Sequence, residues 1–226
     1  MKPTLLIARA TTDDGGEMTL HEHDGDYTIR IDGVELMSTR QHLSEERMAE
    51  LACAHLRQHA NARVLIGGLG MGFTLRASLA VLAPDARVTV VELMPAVIAW
   101  NRTPAYGLAA DALNDPRVEV VQKDVATVLR ASRGVFDAVM LDVDNGADGL
   151  TVARNDRLYR PQGLAIARDA LSPKGRLAVW SATNDPAFVE RMRAGGFTVT
   201  TERVAAYPGG RVWNWVFLGK RAAGVF

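Results

Sequence analysis

The stretch Val64-Leu65-Ile66-Gly67-Gly68-Leu69-Gly70-Met71-Gly72 decides the fold of this chain. An apolar run enters four glycines, and residues 73–79 then show helical spacing, so the pattern predicts a strand, a tight turn and a helix. Because glycine has no Cβ, a ligand can lie against the backbone N–H groups where such a helix begins. We therefore predict that Gly68, Gly70 and Gly72 bind an adenosine-type nucleoside.

Two acids follow the next two predicted strands. Glu92 ends the run 88–91 and lies about 20 residues beyond the glycines, where an acid meets the ribose hydroxyl pair in nucleotide-binding folds. Asp124 follows the run 118–121, at the place where class I enzymes that use S-adenosylmethionine (SAM) carry an acid for the adenine amino group. The spacing Gly68-x-Gly70-x-Gly72 also fits that class, because Phe73 stands where a dinucleotide fold needs its third glycine.

Strand and helix patterns alternate from residue 63 onward, and the last two strands have no helix between them. This order predicts an α/β fold: a doubly wound, mostly parallel seven-stranded sheet of the class I SAM-methyltransferase, Rossmann-like type, with one antiparallel strand near its end. Residues 1–40 instead predict a small antiparallel β-hairpin unit, with Asp32-Gly33 as a hairpin turn. We expect two domains, 1–40 and 41–226, and a helix over 45–58 that Ser44 caps.

Composition narrows the class of partner. The 226 residues carry a formal net charge of +0 with no basic stretch, which disfavours a nucleic-acid partner. No apolar run is long enough to span a bilayer, and no signal peptide opens the chain, so we expect a cytoplasmic protein without a membrane partner. With one cysteine, Cys53, and no third ligand near the histidine pair His55 and His59, we predict no metal site.

A set of short motifs is spread over most of the chain. They are the glycine turn running into Leu75-Arg76, Val91-Glu92 followed by Val97-Ile98, the strand 137–141 ending in Asp142, Leu158-Tyr159, Leu171-Ser172-Pro173-Lys174-Gly175, and Tyr207-Pro208-Gly209-Gly210 before Trp213. Together they resemble the spermidine synthase (polyamine aminopropyltransferase) family. The last motif is the most specific, because it lies outside the generic SAM fold.

The resemblance implies roles for individual residues. It places the catalytic acid at Asp142. From its position beside the same strand end, Asp144 is a second candidate that could hold an amine and accept its proton. The resemblance also places Tyr159, Tyr207 and Trp213 at the pocket of a small-molecule acceptor, with SAM or decarboxylated SAM as the cofactor and a homodimer as the assembly.

The chain also departs from the family at positions that bear on the reaction. Met71 falls on the acid that holds the ammonium of decarboxylated SAM in that family, a role that a thioether cannot take. An acid there would repel the carboxylate of intact SAM, and Met71 removes this repulsion. Asn145 replaces a second acid of the family, which weakens the case for a diamine, and Glu45-Glu46-Arg47 replaces its Tyr-His-Glu.

Three functions stay open from the sequence. The first is a SAM-dependent transferase that moves a methyl or aminocarboxypropyl group from intact SAM to a small amine, which Met71 favours. The second is a true polyamine aminopropyltransferase, in which Tyr159, Tyr207 and Asp142 hold the amine and Glu45 or Glu46 replaces the missing acids. The third is a nucleoside-binding homologue without catalysis.

Overall fold

The computed structural model describes residues 3–12, 14–142 and 156–222. The strands are β1 Leu5–Thr11, β2 Glu17–His23, β3 Asp26–Ile31, β4 Val34–Ser38, β5 Arg63–Gly67, β6 Arg87–Glu92, β7 Val118–Gln122, β8 Phe136–Leu141, β9 Leu171–Ser181, β10 Phe197–Ala205 and β11 Trp213–Arg221. The helices are α1 Leu43–Cys53, α2 Phe73–Val81, α3 Pro95–Arg102, α4 Ala110–Leu113, α5 Val125–Ala131, α6 Asp156–Tyr159, α7 Pro161–Ala170 and α8 Pro186–Ala194. Short 3-10 turns lie at Ala54–Leu56 and Pro104–Tyr106.

The first four strands form an antiparallel sheet in the order β1-β2-β3-β4. The β2–β3 and β3–β4 turns are Asp-Gly pairs in which both residues have positive φ: Asp24 (55°) with Gly25 (88°), and Asp32 (49°) with Gly33 (81°). Such turns match the right-handed twist of the strands they join. The predicted N-terminal antiparallel unit is therefore confirmed.

The remaining seven strands form the second sheet, in the order β10-β11-β9-β8-β5-β6-β7. The pairs from β9 to β7 are parallel, whereas β11 runs antiparallel to both β9 and β10. The predicted α/β class is confirmed, including the antiparallel strand contributed by the terminal hairpin.

Two apolar clusters cover the faces of this second sheet. One includes Met48 of α1 and Val64 of β5, and Leu20 and Ile29 of the N-terminal sheet join it at 0% exposure. The other lies under α5, α7 and α8 and includes Leu164. The N-terminal sheet thus shares a core with the larger sheet, and the division at residue 40 stays a prediction.

Helix α1 differs from the prediction at both ends. The residue before it is His42, whose side chain makes no capping bond, and the α-helix ends at Cys53 before a 3-10 turn to Leu56. Ser44 lies inside the first turn, where its hydroxyl binds other side chains. The predicted Ser44 cap is wrong because the hydroxyl is already engaged by residues distant in sequence.

Parallel pairing brings the carboxyl ends of four strands to one edge. In the register, Gly67 of β5 lies opposite Val91 of β6 and Leu141 of β8, and Glu92 lies opposite Gln122 of β7. Ligands of open α/β sheets bind at this edge. Among the described residues, no helix has the length and hydropathy to span a membrane.

Candidate functional site

The glycine turn lies between β5 and α2 and has left-handed backbone at three positions. The φ angles are 94° at Gly68, 53° at Gly70 and 81° at Gly72. A side chain at Gly72 would also place a Cβ 2.3 Å from the Cβ of Ala109. Both the backbone conformation and the packing therefore require glycine at Gly72.

Asn101 of α3 stabilises this turn through side-chain hydrogen bonds. Its Nδ2 donates to the carbonyl oxygen of Gly70 at 2.8 Å and to that of Val97 at 2.9 Å, and its side chain is fully buried. No sequence pattern indicates this role, because an asparagine late in a helix has no distinctive spacing. The turn is thus fixed by side-chain bonds as well as by its glycines.

Glu92 lies at the end of β6 with only 8% of its surface exposed. Its two carboxylate oxygens accept the backbone N–H groups of Leu69 and Met94, each at 2.8 Å. Burial raises the pKa of Glu92, and the two backbone donors act in the opposite direction. Glu92, which is predicted to bind the ribose hydroxyls, therefore also shapes the glycine turn.

Asp124 precedes α5 and is its N-cap. One carboxylate oxygen accepts the backbone N–H of Thr127 at 3.1 Å, and the other accepts from Nη2 of Arg157 at 2.5 Å. Its side chain retains 29% exposure at the ligand edge of the sheet. Its predicted contact with an adenine amino group stays a prediction.

Asp142 follows β8 at the same edge. Its backbone N–H donates to the carbonyl oxygen of Gly67 at 2.9 Å, and Oγ1 of Thr74 donates to its carboxylate at 3.2 Å. Burial raises the pKa of Asp142 to about 6, and the Thr74 hydroxyl partly opposes this shift. Asp144 and Asn145, the other sequence-based candidates of this loop, lie outside the described residues.

A cavity of about 360 Å3 opens beside Asp142. Its walls come from the N-terminal sheet, α1, the glycine turn, and the ends of β9 and β11. The lining polar side chains are Glu35, Ser38, Gln41, Glu45, Thr74, Asp142, Trp180 and Asn214, and the apolar ones include Met37, Met71 and Trp213.

The charged side chains among the described residues that line this cavity are all acidic. Glu35, Glu45 and Asp142 are acidic, and the described residues that line it include no lysine, arginine or histidine. Carboxylates that line one cavity repel one another, and a cation bound between them is attracted to all of them. The cavity therefore favours a positively charged ligand, such as one that carries an alkylammonium group.

Met71 separates this cavity from a second one. It is 4% exposed and lines both the acidic cavity and a cavity of about 530 Å3 beside Arg76 and Tyr106. The thioether offers neither a charge nor a strong hydrogen bond to a ligand. The departure from the family pattern at Met71 therefore lies in the glycine turn, between the two cavities.

The three predicted aromatic residues do not come together. Trp213 lines the acidic cavity, and the guanidinium of Arg203 lies 4.2 Å from the centroid of its ring. Tyr207 lines a neighbouring cavity on the N-terminal sheet. Tyr159 is 5% exposed, packs edge-on against Phe188 and lines neither of these cavities, because α6 directs it into the core under the sheet.

Several residues that line the acidic cavity could not be identified from the sequence. Glu35 is not identified as a site residue, because acidic side chains are common in short hairpin strands and do not indicate a binding site. Thr74, Trp180 and Asn214 carry no motif of their own, although a polar Asn214 within an apolar terminal strand is a signal that could have singled it out. Their common position becomes evident only from the fold.

Comparison with known proteins agrees with the motif resemblance. No protein-family model matches the chain. A polyamine aminopropyltransferase 1 of Streptomyces coelicolor is 37% identical over 129 residues, which cover 55% of this chain and 23% of that protein. A polyamine aminopropyltransferase of Corynebacterium efficiens is 32% identical over 181 residues, 78% of this chain and 33% of that protein.

The fold is also that of a known enzyme class. The crystal structure of spermidine synthase from Thermotoga maritima matches 97% of this chain and 73% of its own, with a TM-score of 0.73 and 19% identity. The protein therefore has a class I SAM-methyltransferase-like fold in the spermidine synthase arrangement. It is a divergent spermidine-synthase-like protein, and it spans about a quarter to a third of the length of the two curated relatives.

Proposed function

We propose that this protein transfers an aminopropyl group from decarboxylated SAM to a cationic amine of the polyamine type. The acidic cavity beside Asp142 carries this proposal, because the three carboxylates among its described lining residues, Glu35, Glu45 and Asp142, match an acceptor that bears ammonium groups. The similarity to polyamine aminopropyltransferases supports the same choice. A homodimer stays a prediction from the resemblance, and a cytoplasmic location stays a prediction from the sequence.

The residues at the strand ends fit a sulfonium nucleoside. Each carboxylate oxygen of Glu92 accepts one backbone N–H group, and each retains lone-pair capacity for a ribose hydroxyl. Left-handed glycines leave the turn open to a ligand, since a Cβ at Gly70 would meet only the sulfur of Met37, at 3.6 Å. The donor supplies an activated carbon, because its sulfonium is a good leaving group.

The protein's part in the reaction is alignment and proton acceptance. The neutral acceptor nitrogen forms a bond to the aminopropyl carbon, the carbon–sulfur bond breaks, and its electron pair leaves with sulfur as a neutral thioether. The attacking nitrogen becomes positively charged and releases a proton to the carboxylate of Asp142. Holding both substrates in line accounts for most of the acceleration in such a displacement.

Met71 favours a second candidate, transfer of a methyl or aminocarboxypropyl group from intact SAM. A buried thioether at the glycine turn does not repel the donor's carboxylate, and it cannot pair with the ammonium of decarboxylated SAM. In this second candidate the acidic cavity still receives an amine, and only the group transferred differs.

Incubation with each donor and a panel of linear diamines, followed by mass spectrometry, separates the two candidates. The first predicts a product heavier by one aminopropyl group with decarboxylated SAM, and the second predicts a methylated or aminocarboxypropylated product with intact SAM. Calorimetric titration of the two donors identifies which one binds. Binding without any product would leave only the non-catalytic homologue.

A further inference from the structure

The hydroxyl of Ser44 lies at the centre of a buried hydrogen-bond cluster behind the acidic cavity. Nε1 of Trp180 and Nδ2 of Asn214 each approach Ser44 Oγ at 2.9 Å, and Ser44 Oγ lies 2.5 Å from the carboxylate of Glu45. Ser44 is completely buried and Asn214 is 6% exposed. The cluster joins α1, β9 and β11 in one place.

The directions of these bonds are determined by chemistry. An indole N–H can only donate, and a serine hydroxyl has one proton and two lone pairs. The carboxylate of Glu45 needs the serine proton at that distance, so the amide of Asn214 must present its N–H₂ group to Ser44. Both lone pairs of Ser44 are then occupied, and its proton is committed to Glu45.

This arrangement fixes an acid that faces the acidic cavity. Glu45 is a flexible side chain in the first turn of α1, and a donor of fixed direction removes much of its rotational freedom. A hydrogen bond to a carboxylate is stronger than one between neutral groups, and it favours the charged form. Trp180 and Asn214 themselves line the cavity, so its wall and its acid are held together.

We propose that Ser44 is a positioning residue that sets the affinity for the cationic acceptor by orienting Glu45, with Trp180 and Asn214 fixing the direction of its hydroxyl. Ser44 does not touch the acceptor in this proposal, because its hydroxyl is fully engaged. The inference rests on the proposed function for its substrate, an amine, and adds which residues determine how tightly that amine binds.

A set of variants tests this role by isothermal titration with 1,4-diaminobutane and, separately, with each SAM donor. Ser44→Ala should weaken diamine binding roughly tenfold, the effect of one charge-assisted hydrogen bond, while donor binding stays within about twofold of wild type. Ser44→Thr keeps the hydroxyl and should recover most of the affinity. In a Glu45→Gln background, Ser44→Ala should cause no further loss of diamine affinity.

Equal diamine affinity in wild type and Ser44→Ala would overturn the inference and leave the proposed function standing. So would a loss of the same size in the Glu45→Gln background, because the serine would then act on packing alone. If Ser44→Ala does not fold, Ser44→Cys replaces it, since a thiol nearly keeps the volume and is a weak donor.

Ligand-free crystal structures separate a failure of this inference from a failure of the proposed function. The wild type should show Glu45 bonded to Ser44, and Ser44→Ala should show the Glu45 carboxylate displaced. If wild type binds no diamine and these structures still differ in this way, the proposed function fails and the positioning role stands. An unmoved Glu45 would contradict the positioning role directly.

Discussion

The carboxylate of Glu92 and the backbone N–H of Leu69 lie 2.8 Å apart, and this bond ties the end of β6 to the glycine turn. The second carboxylate oxygen accepts the N–H of Met94, so one buried side chain holds both loops that follow the neighbouring strands. The acid expected to bind ribose thereby also shapes the backbone against which the nucleoside would lie.

Glu92→Gln should reduce both stability and donor affinity. One oxygen becomes an N–H₂ group that faces a backbone N–H, and losing a buried hydrogen bond to a charged group costs about 1–3 kcal/mol of unfolding free energy. Urea denaturation measures the stability, and calorimetric titration should show donor binding weakened by roughly tenfold or more. Unchanged values in both measurements would contradict the double role of Glu92.

Gly72→Ala should lower the free energy of unfolding much more than the matched substitution Gly134→Ala. The new Cβ meets Ala109 at 2.3 Å on a backbone with φ of 81°, so conformational strain and overpacking together should cost about 2–5 kcal/mol. Gly134 has a similar backbone, with φ of 64°, but no atom within 4 Å of its Cβ position, so Gly134→Ala should cost only about 1–2 kcal/mol. Equal losses in thermal denaturation would show that packing at Ala109 does not matter.

Asp142→Asn should lower the turnover number by about a hundredfold or more while leaving donor affinity nearly unchanged, as expected for loss of a proton acceptor. In wild type, the rate should rise as pH increases through about 6, because the carboxylate of Asp142, whose pKa burial raises to about 6, must be charged to accept the proton. A pH–rate profile checks both statements. An Asp142→Asn enzyme with wild-type turnover would remove Asp142 from the mechanism.

The carboxylate of Asp142 also makes the stability depend on pH, and its contribution falls as pH rises, whereas the reaction rate is expected to increase. Its folded-state pKa of about 6 lies above the ordinary value of 3.8, so the folded protein binds more protons than the unfolded chain between these two pH values. The contribution of Asp142 to stability is therefore fully present below pH 3.8 and is lost as pH rises through about 6. Asp142→Asn should remove this dependence from denaturation curves, whereas an unchanged curve would place the titration elsewhere.

Much of the fold follows from local patterns in the sequence. Helix α8 is an example, because Pro186 begins it and the side chain of Asp185 caps it by accepting the N–H of Phe188, which are both common signals of a helix start. Glu92 and Asp142 were placed correctly at the ends of their strands, since parallel pairing brings such residues to one edge of a sheet.

The acceptor side could not be predicted in the same way. Glu35 belongs to the N-terminal sheet and Asn214 to the last strand, and only tertiary packing places them around one cavity. Tyr159 illustrates the reverse case, because the motif that names it does not reveal that α6 directs its ring into the core. Ser44 fits a capping pattern, yet long-range donors engage its hydroxyl.

Met71→Asp tests what determines the choice of donor. An acid at this position should favour decarboxylated SAM over intact SAM by roughly tenfold or more, because it attracts the donor's ammonium and repels a carboxylate. Met71→Leu, which nearly conserves the volume, should leave the ratio of the two affinities unchanged. Calorimetry with both donors measures the ratio, and an unaltered ratio in Met71→Asp would show that this position does not face the donor.

The central claim, aminopropyl transfer to an amine in the acidic cavity, is tested most directly by mass spectrometry of the reaction of wild-type protein with decarboxylated SAM and a diamine panel. The account predicts a diamine heavier by one aminopropyl group, together with the neutral thioether nucleoside, and little or no product from Asp142→Asn. A methylated or aminocarboxypropylated amine formed only with intact SAM, or no product with any diamine, would contradict it.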